Sequence, residues 1–124
     1  MLAVSGIVAH KGRVLVCRRS AGMFYEGSWE FPTFEIEDGE TAEDSLERNM
    51  FDCFSVQVCG EGFVGAGTMK DRSSVRIFLY SVEIRQKIKS VSGYSCFKWL
   101  KIKELARFRL SPACVTSIKR LEIL

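Results

Sequence analysis

Three residues of this sequence, Asn49, Asp52 and Cys53, are spaced so that their side chains would meet on one face of a helix. Positions i, i+3 and i+4 are neighbours on a helical surface, and oxygen atoms placed there can converge on a hard divalent cation. The carboxylate of Asp52 and the amide oxygen of Asn49 are such ligands, whereas the Cys53 thiol suits Mg²⁺ poorly and is expected in the core. The triplet therefore offers a single carboxylate to such a cation.

A helix over residues 41–53 would carry this triplet. Thr41 is a good N-cap, acidic residues follow it in the first turn, and apolar residues then recur every three or four positions. Glu40 and Arg48 stand eight positions apart, with a turn between them, and we expect a structural ion pair that braces the loop against the helix. The buried stripe of this helix would consist of Ala42, Leu46, Met50 and either Cys53 or Phe54.

The remainder of the chain predicts a sheet and a second helix. A period of two and many β-branched or aromatic residues favour strands at 2–9, 14–18, 56–58, 63–64, 75–84 and 95–99, with turns at 10–13 and 71–74. A short helix is expected at 102–107, and Ser111 followed by Pro112 is typical of a helix start, which predicts a closing helix over 113–121. This order of elements indicates one mixed α/β domain over residues 1–124.

The stretch from residue 27 to 56 resembles the signature of the Nudix hydrolases. Trp29-Glu30-Phe31-Pro32, Gly39-Glu40-Thr41 and Leu46-x-Arg48 fall in the register of that family. Its box reads Gly, five residues, Glu, seven residues, Arg-Glu-aliphatic-x-Glu-Glu-x-Gly-aliphatic, and here Glu40, Arg48, Met50 and Val56 match it. Residues 15–19 and 110–113 are also similar to MutT-like and CTP-pyrophosphohydrolase-like members. The resemblance implies an α/β (α+β) fold, a Nudix-type α/β/α sandwich with a mixed β-sheet between helices.

The same box departs from the family at its metal ligands. Asn49 and Cys53 stand where two glutamates belong, Asp52 shortens the third, and Ser55 replaces the last glycine. Phe34 replaces the first glycine, where it would either crowd the loop or cover the site as an exposed aromatic. The resemblance therefore implies a divalent-metal-dependent nucleoside triphosphate pyrophosphohydrolase whose activity is reduced or lost. The resemblance implies Asp52, Arg48 and Glu40 as the remaining catalytic candidates, and Asp52 and Asn49 as ligands of a weakly held Mg²⁺ or Mn²⁺ if the protein is active.

The resemblance also implies a substrate cleft. The family counterpart of Arg19 can contact ligand, and a solvated surface position is an equal alternative for Arg19. Only one of Arg18 and Arg19 can face the cleft of an alternating strand, and Glu30 and Phe31 border the cleft. Cys114 stands where similar enzymes carry an Asn or Asp that reads the nucleobase edge, so that hydrogen bond is lost. The substrate-binding candidates are Arg19, Glu30, Phe31, Phe34 and Cys114.

Composition favours a soluble protein of the cytoplasm. The net charge of +3 is spread along the 124 residues, which favours a solvated surface over a nucleic-acid patch. Five cysteines without a Cys-x-x-Cys pair fit free thiols in a reducing compartment, and the apolar first nine residues are too short to cross a bilayer. We expect a nucleotide or nucleoside-diphosphate-linked partner, no specific nucleic acid and no membrane; a homodimer remains open.

Three functions remain at this point. The chain could be a hydrolase in which Asp52, together with Glu37, Glu40 or Glu47, replaces the missing metal ligands. Glu47 is two positions from Asn49, and this helical offset directs it away from the face of Asn49. It could instead be a module that binds a nucleotide or a partner without hydrolysis, or an interaction domain with no small ligand. Family resemblance supplies a reaction class and no proof of it.

Overall fold

The computed structural model describes residues 1–69 and 74–121. The seven strands are β1 (Leu2–His10), β2 (Arg13–Arg19), β3 (Trp29–Glu30), β4 (Thr33–Glu35), β5 (Val58–Thr68), β6 (Arg76–Ile84) and β7 (Tyr94–Leu100). The helices are α1 (Ala42–Phe54), a 3-10 helix (Ile102–Arg107) and α2 (Pro112–Leu121). No helix in the described ranges is long and apolar enough to cross a membrane.

Strand β1 organises the sheet, whose main order is β3-β2-β1-β6-β5. It runs parallel to β6 from Leu2 to Val8 and then pairs antiparallel with β2 at Ala9 and His10. The short β4 pairs with the first half of β1, and β7 pairs with β2. The sheet is therefore mixed, as expected, and β1 passes from one group of strands to the other along its length.

The two helices cover opposite faces of this sheet. Side chains alternate across a strand, so Val4 and Val8 of β1 pack with Leu46 and Met50 of α1. Ala3, the neighbour of Val4, lies in a separate cluster on the α2 side. That cluster also contains Ile77, Leu79 and Ala113, and a third one joins Val16, Phe31, Leu105, Cys114 and Ile118. This is the three-layer α/β/α arrangement that the sequence predicted.

Local signals placed the helix starts and the first turn well. The Thr41 side chain accepts a hydrogen bond from the Asp44 N–H at 3.0 Å, and Ser111 Oγ accepts one from the Cys114 N–H at 3.2 Å. Lys11 and Gly12 both have positive φ, of 51° and 75°, which is the geometry of a two-residue type I′ hairpin between β1 and β2. The cap and turn predictions are confirmed.

The prediction for the middle strands was partly wrong. Val56 precedes the sheet, and β5 is one strand of eleven residues rather than two short pieces. Two register shifts against β6, between Val58 and Gly60 and between Phe63 and Gly65, absorb the extra residues. Pairing with β6 holds together a glycine-rich run whose own β-propensity is low. Most of the turn predicted at 71–74 lies outside the described residues.

Candidate functional site

Glu40 and Arg48 form the predicted ion pair. Arg48 donates from Nη2 to Glu40 Oε1 at 2.8 Å and from Nε to Glu40 Oε2 at 3.1 Å, and Glu40 Oε1 also accepts the Glu37 N–H at 3.0 Å. The hydrogen bond from Arg48 contributes most, followed by that from the Glu37 N–H, and together these bonds lower the pKa of Glu40 to about 2. This bidentate ion pair holds the loop against α1, so the side chains of Glu40 and Arg48 already have partners within the protein.

The helix face that should carry metal ligands offers one free carboxylate. Asp52 is exposed, whereas the Asn49 side-chain amide donates to the backbone oxygen of Ser45 at 2.8 Å. Burial, followed by the charge of Asp52, raises the pKa of the half-buried Cys53 and keeps its thiol protonated. Nowhere in residues 1–69 and 74–121 do three His, Cys, Asp or Glu side chains assemble into a group that could hold a metal ion. This donor set does not fit a two-ion centre.

The other acidic residues near α1 point elsewhere. Glu37 lies 3.8 Å from the Arg48 guanidinium. Glu47 turns towards β5, where its carboxyl lies close enough to that of Glu61 to raise the pKa of Glu61. The expectation that Glu47 points away from the 49/52/53 face is confirmed, and Asp52 gains no acidic neighbour from either residue.

A cleft of about 290 Å³ opens beside the first half of β1. Apolar and aromatic side chains form most of its wall, among them Met1, Met23, Phe24, Tyr25, Phe34 and Met69. Polar groups are fewer and include Arg19, Glu30 and Ser111. A flat apolar ring fits walls of this kind, and the few polar groups would fix its orientation.

A buried carboxylate forms the polar floor of the cleft. Glu30 has no exposed surface, and its oxygens accept hydrogen bonds from Arg19 Nη1 at 2.8 Å, Tyr94 OH at 2.7 Å and Ser111 Oγ at 2.7 Å. Burial, and then the charge of Glu30, raises the pKa of Tyr94 well above its ordinary value, so the phenol remains a donor. The floor is thus fully hydrogen-bonded without a ligand, which makes it a rigid base for the site.

Arg19 connects this floor to the open part of the cleft. Its Nη1 binds Glu30, and its Nε donates to the backbone oxygen of Phe24 at 2.6 Å. Within the described part of the chain no partner takes its Nη2, and 18% of the side chain is exposed. Arg18, the preceding residue, points out of the cleft and donates to the Gly27 oxygen at 3.4 Å. The prediction that only one of the two arginines faces the cleft is confirmed.

Solved structures identify the architecture. A MutT protein from Methanosarcina mazei is 16% identical, with a TM-score of 0.82 over 98% of this chain and 90% of that one. A MutT structure from an analysis of the Aliivibrio salmonicida and Vibrio cholerae proteins is 21% identical, with a TM-score of 0.78 over 98% of this chain and 97% of that one. The chain has the Nudix fold. No family model matches the sequence, and no curated protein does either.

A third Nudix structure was solved with a ligand. The NUDIX domain of NrtR from Shewanella oneidensis, complexed with ADP ribose, is 18% identical to this chain. Its TM-score is 0.76 over 98% of this chain and 86% of that domain.

Ser55 and Phe34 stand at the two positions where the Nudix box has glycine. Ser55 ends α1 in the left-handed region, with φ 57° and ψ 38°, and its N–H donates to the Phe51 oxygen at 2.8 Å. The backbone shape that favours glycine is therefore kept without the glycine. Phe34 lies in β4 opposite Val4 and is 9% exposed, so the expectation of an exposed aromatic cover is wrong. Pairing with β1 turns its ring into the core beneath α1, and only part of it reaches the cleft.

The expected places of Phe31 and Cys114 in the cleft are corrected by the structure. Phe31 is fully buried, because side chains alternate around Glu30 and direct Phe31 into the cluster beneath α2. Cys114 is 1% exposed in the same cluster, and burial raises its pKa to about 12. Its neighbour Ala113 lines the cleft instead. Neither Phe31 nor Cys114 lines the cleft that Arg19, Glu30 and Phe34 share.

Sequence reasoning missed two members of the site. Tyr94 had no assigned role, and Ser111 was identified only as a helix cap. They lie 64 and 81 positions from Glu30 in the sequence, so only the folded chain brings them together. A buried acidic residue that must find partners was the one available signal.

Proposed function

We propose that this Nudix-fold domain binds a nucleotide or a nucleoside-diphosphate-linked compound and does not hydrolyse it at rates typical of Nudix enzymes. One contrast carries the proposal. The cleft keeps apolar walls, a rigid polar floor and the available Nη2 of Arg19, while the helix face beside Arg48 keeps Asp52 as its single carboxylate. The chain thus retains a surface that can bind a ligand but few of the carboxylates that would hold metal ions.

The size of the cleft indicates which part of the ligand enters. Its volume of about 290 Å³ is at the lower edge of the ~300–1,000 Å³ of small-molecule sites. That space accommodates a nucleobase between the methionine and aromatic side chains, while the sugar and phosphates remain outside. The ADP ribose bound by the NrtR domain has an aromatic ring at one end and a diphosphate behind it. A ligand of this shape fits the proposal.

Hydrolysis at rates typical of Nudix enzymes would require divalent cations, and this site lacks the carboxylates to hold them. Nudix chemistry uses divalent cations to offset the pyrophosphate charge and to activate water. Three glutamates on one helix face would hold such ions, whereas Asp52 alone could receive at most an ion that the phosphates bring with them. Removing one charge-stabilising group from an active site commonly costs a factor of about 10² to 10³ in kcat.

Binding is tested with a nucleotide panel and a pair of arginine variants. Isothermal titration with ATP, CTP, GTP and ADP ribose should show saturable binding to the wild type. Arg19→Lys keeps a cation next to Glu30 but removes the guanidinium fork, and we expect about tenfold weaker binding, equivalent to ~1.4 kcal/mol. Arg18→Lys is the matched control and should bind as the wild type does.

The outcomes separate the three functions. Saturable binding that weakens only in Arg19→Lys supports the proposal. Absence of binding to every member of the panel contradicts it and leaves the interaction domain. Binding accompanied by rapid metal-dependent turnover contradicts the non-hydrolysing part and supports the enzyme.

A further inference from the structure

A second, larger groove of about 810 Å³ lies at the opposite end of β1. It forms where β1 passes from pairing with β6 to pairing with β2. No described residue lines both this groove and the cleft around Arg19. Ala3 belongs to the cleft and Ala9 to the groove, and six residues of strand separate them by about 20 Å. The groove is therefore a separate feature of the surface.

Cations outnumber acids around this groove. Lys11, Arg85 and Lys87 line it, and Glu83 is the only acidic residue among the described lining residues. Over residues 1–69 and 74–121, none of the three cations has a carboxylate within ion-pair distance. Three cations that line one groove without such a carboxylate favour an anion with several negative oxygens.

The floor and one wall are apolar. Val8 and Val82 are 2% and 4% exposed at the base of the groove. Trp99 lines it as well and is half-buried, with the His10 ring 6.0 Å away at 59°. A half-exposed indole beside a second ring offers a surface against which a flat aromatic group can pack.

The segments that carry the cations are held in place. Lys11 is the first residue of the type I′ turn, whose backbone is fixed by the pairing of Ala9 with Val14. The segment after β6 is tied down because the Arg85 N–H donates to the Gln57 oxygen at 3.0 Å and the Gln57 N–H donates to Gln86 Oε1 at 2.7 Å. Ile88, 5% exposed, then anchors this segment in the core beneath α1. The backbone that carries the cations therefore loses little conformational freedom on binding.

We infer that this groove binds a phosphorylated aromatic ligand of the nucleotide class, at a site separate from the Nudix cleft. The base packs against Trp99 over the valine floor, and the phosphates meet Lys11, Arg85 and Lys87. The apolar wall selects for a ring, and the three cations select for several negative charges. Adenosine alone and inorganic triphosphate alone should each bind more weakly than ATP, since each engages half of the site.

The two tryptophans of the chain provide a readout specific to the groove. Trp29 is buried under α2, so of the two indole N–H signals in a ¹H–¹⁵N spectrum only that of Trp99 reports on the groove; Trp99→Phe assigns it. We expect ATP to shift the Trp99 signal saturably. The variant Lys11→Gln/Lys87→Gln should weaken this binding at least about tenfold. The variant Lys103→Gln/Lys119→Gln makes the same change in net charge away from the groove and should bind as the wild type does.

Cys59 supplies a second readout at the same place. It is the exposed cysteine among the five, and it lines the groove. Bound ATP should slow its alkylation by iodoacetamide, as measured by peptide mapping, in the wild type and in Arg19→Lys alike. Because Arg19→Lys alters the Nudix cleft and not the groove, this comparison tests binding in the groove independently of binding in the cleft.

Three results would overturn the inference. The first is a Trp99 signal that does not move at millimolar ATP. The second is equal weakening in both lysine pairs, which would indicate general electrostatic attraction. The third is inorganic triphosphate binding as tightly as ATP, which would indicate an anion site without selection for the ring.

Discussion

At the scale of single residues, the proposed lack of hydrolysis rests on Asp52. One exposed carboxylate cannot place two cations, and the neighbouring Asn49 and Cys53 are occupied by a hydrogen bond to Ser45 and by burial. The floor of the cleft depends on Glu30 and its partners, because a fully buried charge without partners would cost several kcal/mol. Its bonds to Arg19, Tyr94 and Ser111 offset that cost and form the floor of the cleft.

Ser55 yields a prediction about stability. Its left-handed backbone costs a residue with a side chain roughly 1–2 kcal/mol, and glycine avoids this at the expense of a more flexible unfolded chain. We expect Ser55→Gly to raise the free energy of unfolding by about 0.5–1 kcal/mol in urea denaturation. Ser55→Ala keeps the side-chain penalty and should give no increase. Equal stabilisation by both variants would refute the backbone explanation.

Residue-level prediction from sequence was successful where partners are close in the chain. Glu40 and Arg48 are eight positions apart, and their pairing was predicted correctly. Two of the three partners of Glu30, Tyr94 and Ser111, are 64 and 81 positions away, and no local pattern indicates them. Phe31 and Cys114 were misplaced for the same reason, since the cluster that buries them joins β2, the 3-10 helix and α2.

At the scale of elements, α1 carries different chemistry on its two edges. One edge holds Asn49, Asp52 and Cys53, and the other faces β5 with Glu43 and Glu47. Helix caps fixed the ends of α1 and α2 locally, so both were predictable from the sequence. The full length of β5 was not, because its pairing with β6 depends on contacts between distant residues.

The contact between α1 and β5 predicts a pH dependence of stability. Burial, then a hydrogen bond with Glu47, then the charges of Glu47, Glu43 and Asp44 raise the pKa of Glu61 from 4.5 to about 7. Tyr80 of β6 lies against the same cluster. A carboxyl whose pKa is raised in the folded state stabilises below its unfolded pKa, and that contribution is lost as pH rises through the folded pKa. The loss should fall between about pH 4.5 and pH 7.

A neutral variant isolates this effect. Glu61→Gln removes the titration, so its melting temperature should exceed that of the wild type at pH 8 and should decline less between pH 5 and pH 8. Glu83→Gln, on the adjacent strand β6, changes an exposed carboxylate and serves as the matched control. If the wild type and Glu61→Gln decline in parallel, Glu61 does not titrate in this range.

At the scale of the whole molecule, the Nudix fold has two separate openings along β1. The cleft at its start combines apolar walls with Arg19 and Glu30, and the groove at its end combines Trp99 with three cations. The fold itself followed from the sequence, since the box and the alternation of strands and helices covered nearly the whole chain. The groove did not, because its residues come from four separate segments of the sequence and no motif links them.

Hydrolysis of the bound nucleotide tests the central claim most directly. Wild type and Asp52→Asn are incubated, at protein in excess of ligand, with the nucleotide that binds best and with Mg²⁺ or Mn²⁺, and the nucleotide is recovered and quantified. We predict that both proteins return it intact over many minutes. Metal-dependent cleavage by the wild type on the order of 1 s⁻¹ or faster, lost in Asp52→Asn, would show a working Nudix hydrolase and contradict the account.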